Sequence, residues 1–188
     1  DGHFTINGSK IFITNASYAK FLALTAITGY KEDKKEISAI IVPTDSNGFT
    51  IKSDYEKMGL NASNTTELIF EDVHVPEENL LGKRGNGFKQ FLITLDGGRI
   101  GIAAMAVGIA QAAFDKALSY SKERKQFRKT LASFQATQFK LADMAVKIEL
   151  ARNMVYKAAW LKDEGKPFSK EAAMAKYYAS EMAVEVCD

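Results

Sequence analysis

Residues 70–95, FEDVHVPEENLLGKRGNGFKQFLITL, change their period halfway. Up to Pro76 apolar and polar residues alternate as in a strand; beyond it, small and apolar residues recur at helical spacing. A single switch of this kind predicts a β domain over residues 1–80 and a helical domain over 81–188, with the boundary near residues 77–86. Within the switch, GNGF (Gly85–Phe88) is too short for a dinucleotide fingerprint and follows no βαβ unit, so it reads as a flexible entry to the first helix.

Upstream, FTI and IFIT flank Asn7-Gly8, a dipeptide suited to the positive φ angles of a tight hairpin turn. FLALTAIT, the turn GYKEDKKE, ISAIIVP, the turn TDSNG, FTIKSDY and TELIFEDVHVP follow. Short strands broken by turn chemistry predict a β-sandwich or barrel. Downstream, a first helix is expected from Gly87 to Lys122. A second runs from Phe134 to Asp163, with Phe134, Leu141, Ala145, Ile148 and Val155 on one stripe. A third starts near Ser169, where Ser169 and Glu171 follow GKPF, and runs to the end. Each exceeds the mean of about 11–12 residues for globular helices. The fold class is therefore α+β, the β domain followed by a bundle of three long antiparallel helices, an incomplete four-helix bundle.

With 188 residues, 46% of them hydrophobic and 3 prolines, the chain is long enough to bury a core. Its 25 basic and 23 acidic residues leave a formal charge of +2. That gives no basic field to capture nucleic acid or an anionic membrane, and neither is expected as a partner. One cysteine, Cys187, excludes an internal disulfide and fits a reducing compartment. His3 and His74 stand far apart in sequence, with no zinc-like spacing, so no metal is expected. No unbroken apolar run reaches the ~18 residues of a membrane span, and no signal segment opens the chain. It begins on Asp1 without Met and stops at EVCD inside a helical pattern, and we read it as a piece of a longer chain.

Three segments have candidate chemistry. Alternation along KIFIT puts Ile11 and Ile13 on one face and Lys10, Phe12 and Thr14 on the other. A ring beside a hydroxyl suits a planar heterocycle, although composition alone favours a core Phe beside an ordinary strand Thr. In LDGGRIG, two glycines inside a helix cost about 1 kcal/mol each against alanine. Gly97 and Gly98, between Asp96 and Arg99, admit either a neighbouring helix or a ligand. ERKQFRK (Glu123–Lys129) sets charges around Phe127, as a solvated loop or as an arginine–aromatic clamp on a phosphate. A nucleophile elbow and a phosphate-binding P-loop are both missing from the sequence.

Together NGSKIFITNA, MGLNASNTTELIFEDVHVPEENLLG, GNGFKQFLITLDGGRIGIAAMAVGIAQAAFDKALSYSKERKQF and FQATQFKLADMAVKIELARNMVYKAAWLKDEG resemble, in order, the acyl-CoA dehydrogenase family of flavoproteins. LDGGRIGIAA and KPFSKEAAMAKYYASE look most like its short-chain, butyryl-CoA branch. The resemblance implies FAD as cofactor and α,β-dehydrogenation of an acyl-CoA to a trans-2-enoyl-CoA. It implies that Phe12, Ile13 and Thr14 lie against the isoalloxazine, with Thr14 bonding near its reactive nitrogen and Asn15 capping the turn. Arg124, Gln126, Phe127 and Gln135 match positions that hold the FAD pyrophosphate and adenine of a neighbouring subunit. Asp96 and Arg99 match positions that contact the acyl-CoA thioester. Many members have Trp at the place of Phe12, and Arg at the place of Asn61. The usual base is a glutamate beyond residue 188, and the alternative position beside Arg99 is here Gly98. We therefore expect no catalytic residue in this chain, and no turnover by it alone.

Implied partners are an electron-transferring flavoprotein and further copies of the chain, as a dimer of dimers. A bacterial cytoplasm is the implied location, a mitochondrial matrix the alternative. Two other readings of the same fold are a non-catalytic oligomerisation or scaffolding module and an acyl-CoA oxidase.

Overall fold

Asn7-Gly8 does not turn the chain. In the computed structural model, which describes residues 2–188, β1 (His3–Thr14) runs through the dipeptide as one strand of 12 residues. It pairs antiparallel with β5 (Thr65–Pro76) from His3↔Pro76 to Thr14↔Thr65. Opposite Asn7, β5 has an extra residue, the pairing passing from Ile6↔Val73 to Gly8↔Phe70. The bulged Asp72, at φ 50°, is held by the Asn7 amide. Asn7 Nδ2 donates to Asp72 Oδ1 at 2.9 Å, and Asp72 N donates to Asn7 Oδ1 at 2.8 Å. The Asn-Gly chemistry thus serves a long-range bulge, because pairing along a whole strand outweighs a local turn preference.

One extra residue reverses which side of a strand faces the core. Thr66, Leu68 and Phe70 are buried before the β5 bulge, and Val73 and Val75 after it. A second bulge, now in β1, lies between Lys10↔Leu68 and Ile13↔Thr66. It breaks the expected alternation: Ile11 is exposed while Ile13 packs against the core. β4 (Phe49–Ile51) completes a sheet of order β1-β5-β4. β2 (Phe21–Lys31) and β3 (Lys34–Pro43) form a separate hairpin. Its two-residue turn places Glu32 and Asp33 at φ 49° and 62°, the twist a tight hairpin needs. Both sheets share one core of Ile6, Leu24, Ile40, Val42, Leu68, Phe70, Val73 and Val75. A cavity of about 680 Å³ runs between β1 and β2. Lys10 Nζ donates to the Thr25 carbonyl at 3.0 Å, tying the two strands.

GNGF is locked, not flexible. Ser38 is fully buried on β3; its hydroxyl bonds Thr28 Oγ1 at 2.6 Å and accepts from Gly85 N at 2.9 Å. Asn86 bridges Ile37 in parallel. Gly87 lies so close to β3 that a Cβ on it would stand 2.3 Å from the Ser38 carbonyl carbon. The misreading arose because this packing joins residues distant in sequence.

Two compact units result, Asp1–Leu92 and Ile93–Asp188. α1 (Gly87–Glu123) starts in the first, and the second also holds α2 (Gln135–Asp163) and α3 (Ser169–Cys187). Ala103, Ala106, Val107 and Ala110 of α1 meet Met144, Ile148, Ala151, Val155 and Ala158 of α2 and Ala175, Ala179, Met182, Ala183 and Val186 of α3. So many alanines let the helix backbones approach closely. Gln111 bonds Arg152, and Lys147 pairs with Glu185, which fixes antiparallel neighbours. On α2 the buried line runs through Met144, not Ala145, which is exposed. Counting back from Ile148, a step of four returns closer to the core direction than the step of three the expected stripe used. Phe134 is the N-cap rather than a helical residue. α1 is by length and composition apolar enough to cross a membrane, but its alanine stripe is part of this three-helix core.

α2 ends in a Schellman motif: Lys166 N donates to Leu161 O at 2.9 Å and Gly165 N to Lys162 O at 3.0 Å. Gly165 takes the left-handed position at φ 64°, and Pro167 stops any continuation. This turn places Ser169 at the first position of α3. An open groove of about 520 Å³, lined by Ala113, Ala117, Leu131, Leu141, Met144 and Val186, remains beside the three helices.

Candidate functional site

In the β unit Phe12 sits in the β1 bulge, and Ile13 and Thr14 follow it, paired with Thr66 and Thr65. Phe12 has φ 56°, a conformation that costs a bulky residue about 1–2 kcal/mol. The residue is 68% exposed, and its ring lies 5.4 Å from that of Tyr55, tilted by 40°. Ile13 turns inward. Thr14 is exposed, and among the described residues its hydroxyl has no hydrogen-bond partner. The turn that follows is set by Asn15 at φ 62°. Its carbonyl accepts from Tyr18 N and Ala19 N at 3.1 and 3.0 Å.

What holds the turn is a residue that sequence reasoning missed. Asn64, 6% exposed, accepts from Asn15 N at 2.9 Å through Oδ1 and donates to Asp54 Oδ1 at 3.4 Å. Ser17 reaches the same Asp54 oxygen at 3.1 Å. No local pattern marks Asn64, since its partner lies 49 positions away. Nearby in sequence, MGLNAS is an exposed loop with Leu60 at φ 53°; nothing in the structure explains Asn61. His3 and His74, distant in sequence, meet edge to face at 5.1 Å. No group of three metal-binding side chains occurs among the described residues.

In the helical unit, β6 (Lys125–Gln126) and β7 (Lys129–Thr130) make a minimal hairpin after α1. Its tip is Phe127-Arg128 at φ 51° and 67°, the pair of left-handed residues that a two-residue hairpin demands and that Asn-Gly usually supplies. Phe127 is 88% exposed, with its ring 6.5 Å from Phe134 and nearly perpendicular to it. Lys129 Nζ lies 4.4 Å over the Phe134 ring. Arg124 is anchored through its backbone, its N–H bonding Tyr120 O and its carbonyl accepting from Leu131 N, each at 2.9 Å. Its side chain is exposed, as are those of Gln126 and Gln135. Gln135 opens α2, whose first turn has no acidic residue and whose N-cap makes no side-chain bond. Arg124, Gln126, Phe127 and Gln135 are thus gathered on one hairpin and one helix start, where cations and free N–H groups favour an anion.

Elsewhere in this unit, Asp96 and Arg99 pair one turn apart on α1, Oδ1 to Nη1 at 2.5 Å. The other carboxylate oxygen accepts from Ser169 Oγ, also at 2.5 Å. A Cβ at Gly97 would lie 3.5 Å from Lys162 Nζ, while one at Gly98 would meet nothing within 4 Å. Among the described residues no backbone of another element claims the glycine pair.

Comparison with known proteins covers both units. Residues 1–73 match the acyl-CoA dehydrogenase middle domain, and residues 85–188 match the acyl-CoA dehydrogenase C-terminal domain. The probable acyl-CoA dehydrogenase YngJ of Bacillus subtilis is 63% identical over 98% of this chain and 49% of its own length. The structure of butyryl-CoA dehydrogenase from Megasphaera elsdenii superposes with a TM-score of 0.94 at 53% identity, over 99% of this chain and 49% of that one. A chain in the structure of the electron transferring flavoprotein of Acidaminococcus fermentans, solved toward a mechanism of flavin-based electron bifurcation, gives a TM-score of 0.92 at 53% identity, over 98% and 49%. Relatives are both bacterial and mitochondrial. The chain spans about half the length of the curated relatives it matches. With the two domains found in order, the chain belongs to the acyl-CoA dehydrogenase family.

Proposed function

We propose that the protein containing this chain is an FAD-dependent dehydrogenase of short-chain acyl-CoA thioesters, taking two hydrogens across the α,β bond to leave a trans-2-enoyl-CoA. The observation that carries this is the 53% identity, at a TM-score of 0.94, with butyryl-CoA dehydrogenase across both units.

The residues present fit the cofactor in two places. At the β1 bulge Phe12 offers an apolar ring, and two residues on Thr14 offers an uncommitted hydroxyl, one to pack on a planar heterocycle and one to bond its edge. On the β6–β7 hairpin, Arg124 supplies a guanidinium for a phosphate, Phe127 a flat cover for an adenine, and Gln126 and Gln135 amide donors. Bound there, FAD supplies the acceptor for the hydride that leaves the β-carbon. We assign the hairpin to the cofactor of a neighbouring subunit, which makes the protein a homo-oligomer, a dimer of dimers. Arg99 holds the thioester end of the substrate, where a fixed cation stabilises charge that develops on the carbonyl oxygen. The carboxylate that takes the α-proton lies outside these residues, since Gly98 at the alternative position has no side chain. An electron-transferring flavoprotein takes the electrons onward, in a bacterial cytoplasm.

Anaerobic addition of butyryl-CoA to the complete FAD-loaded protein should bleach the flavin band, and electron-transferring flavoprotein should restore it. Failure of every short- and medium-chain acyl-CoA to bleach the flavin would sink the proposal. Peroxide formed in air at the rate of substrate use would identify an oxidase instead.

A further inference from the structure

We propose that Ser169 is a positioning residue: it holds the Asp96 carboxylate, and Asp96 in turn fixes Arg99, so that of the Asp96–Arg99 pair only the arginine meets a ligand. The inference rests on the reading of Arg99 as a substrate contact and divides a role that the motif gives to both residues.

The geometry leaves Asp96 little else to do. Each of its oxygens has a partner, Arg99 Nη1 on Oδ1 and Ser169 Oγ on Oδ2, both at 2.5 Å. Its side chain is 18% exposed against 41% for Arg99, so the acid faces inward and the base outward. Among the described residues the other guanidinium nitrogens of Arg99 take part in no hydrogen bond. A planar guanidinium tied at one nitrogen can turn only about that tie, which preserves its fork for an oxygen ligand.

Ser169 is well placed to be the fixed point. It is the first residue of α3, delivered by the Schellman turn at Gly165 and by Pro167. Phe168, the N-cap, makes no side-chain bond. The Asp96 carboxylate therefore arrives from another helix as an anion at the positive end of α3, where the helix dipole favours it.

The test uses the complete FAD-loaded protein with Ser169→Ala, Ser169→Thr, Asp96→Asn and the double variant S169A/D96N. Two readouts are taken. The first is steady-state kinetics with butyryl-CoA. Ser169→Ala should raise KM three- to tenfold with kcat within twofold, Ser169→Thr should restore KM by keeping the hydroxyl, and the double variant should be no worse than Asp96→Asn alone. The second is the rate of phenylglyoxal modification of Arg99, read by peptide mass, which needs no turnover. It should rise several-fold in Ser169→Ala and return in Ser169→Thr.

An unchanged Arg99 modification rate in Ser169→Ala overturns the relay. So does a double variant whose KM effect is the product of the two single effects. A wild-type protein that turns over no acyl-CoA removes the proposed function, and the modification rates then decide the relay by themselves.

Discussion

Gly87→Ala is expected to destabilise the β unit by about 2 kcal/mol, against the helix propensity of the residue introduced. A Cβ at Gly87 would stand 2.3, 2.5 and 2.7 Å from the Ser38 carbonyl carbon, the Ala39 nitrogen and the Ser38 Cα. All three are backbone atoms, so no rotamer change relieves them. Reaching ordinary contact requires a movement of about 1 Å, in a strand hydrogen-bonded to β2 at Ala26↔Ser38 and Thr25↔Ala39. Ser38 and Ala39 are 0% and 4% exposed, so the strand has no solvent side to yield toward. Overpacking of a close-packed site costs roughly 1–3 kcal/mol, and rigid neighbours put this one at the upper end. The opposing term is the gain of alanine over glycine in a helix, at most about 1 kcal/mol and less at the first position. The difference, about 2 kcal/mol, corresponds to a melting temperature lowered by roughly 10 °C for a unit of this size. Thermal unfolding followed by circular dichroism measures it. Gly108→Ala is the control, because its Cβ would meet nothing within 4 Å in the same helix; it should stabilise by up to about 1 kcal/mol. A Gly87→Ala protein that melts at or above the parent temperature would refute the close approach.

Gly165→Ala should cost about 1 kcal/mol, since its Cβ has open space and only the left-handed φ of 64° opposes it; Asn should cost less, and urea midpoints would rank the two. Asn7→Ala removes both bonds to the bulged Asp72 and should cost about 1 kcal/mol. Asn7→Asp, which sets two carboxylates face to face, should cost more than Asn7→Ala at neutral pH, and equal midpoints would reject that. Phe127→Asn should raise stability by about 1 kcal/mol, because Asn tolerates the left-handed turn position. The same change should reduce the FAD retained through gel filtration if the ring covers the adenine, and a variant that is both more stable and fully flavinated would remove Phe127 from the site.

The parts of the fold that could be read from the sequence are those whose physics is local. Helix ends lay within a residue or two of expectation at Gly87, Asp163 and Ser169, because periodicity, a Gly-Pro stop and a serine start act over a few positions. The β unit was legible as strands but not as pairings. Asn7-Gly8 has the composition of a hairpin turn, and only Asp72, 65 positions away, decides that it is a bulge partner. Alternation through KIFIT failed for the same reason, since an unpaired residue opposite Leu68 and Thr66 reverses the parity of all that follows. Ser38 and Gly85 meet across 47 positions, which made a clamped loop read as a flexible one.

The proposed site was legible only through its motifs, because local rules argue against two of its residues. Propensity would never place phenylalanine at a left-handed position, yet Phe12 and Phe127 both occupy one, at φ 56° and 51°. Both rings also face solvent, 68% and 88% exposed. Each position therefore has a backbone cost of about 1–2 kcal/mol and forgoes the burial that would normally offset it. Within this chain the contacts that answer these costs are slight, a tilted Tyr55 ring for one and an edge-on Phe134 for the other. The hairpin and the bulge account for these backbone angles, and a bulky ring kept exposed at such a place supports the cofactor contacts proposed for it. Leu60 is the third bulky apolar residue in this state, at φ 53° and 76% exposed. It lies in MGLNAS, so the strain falls in three of the four stretches that carry the resemblance, by a criterion that uses no relative at all.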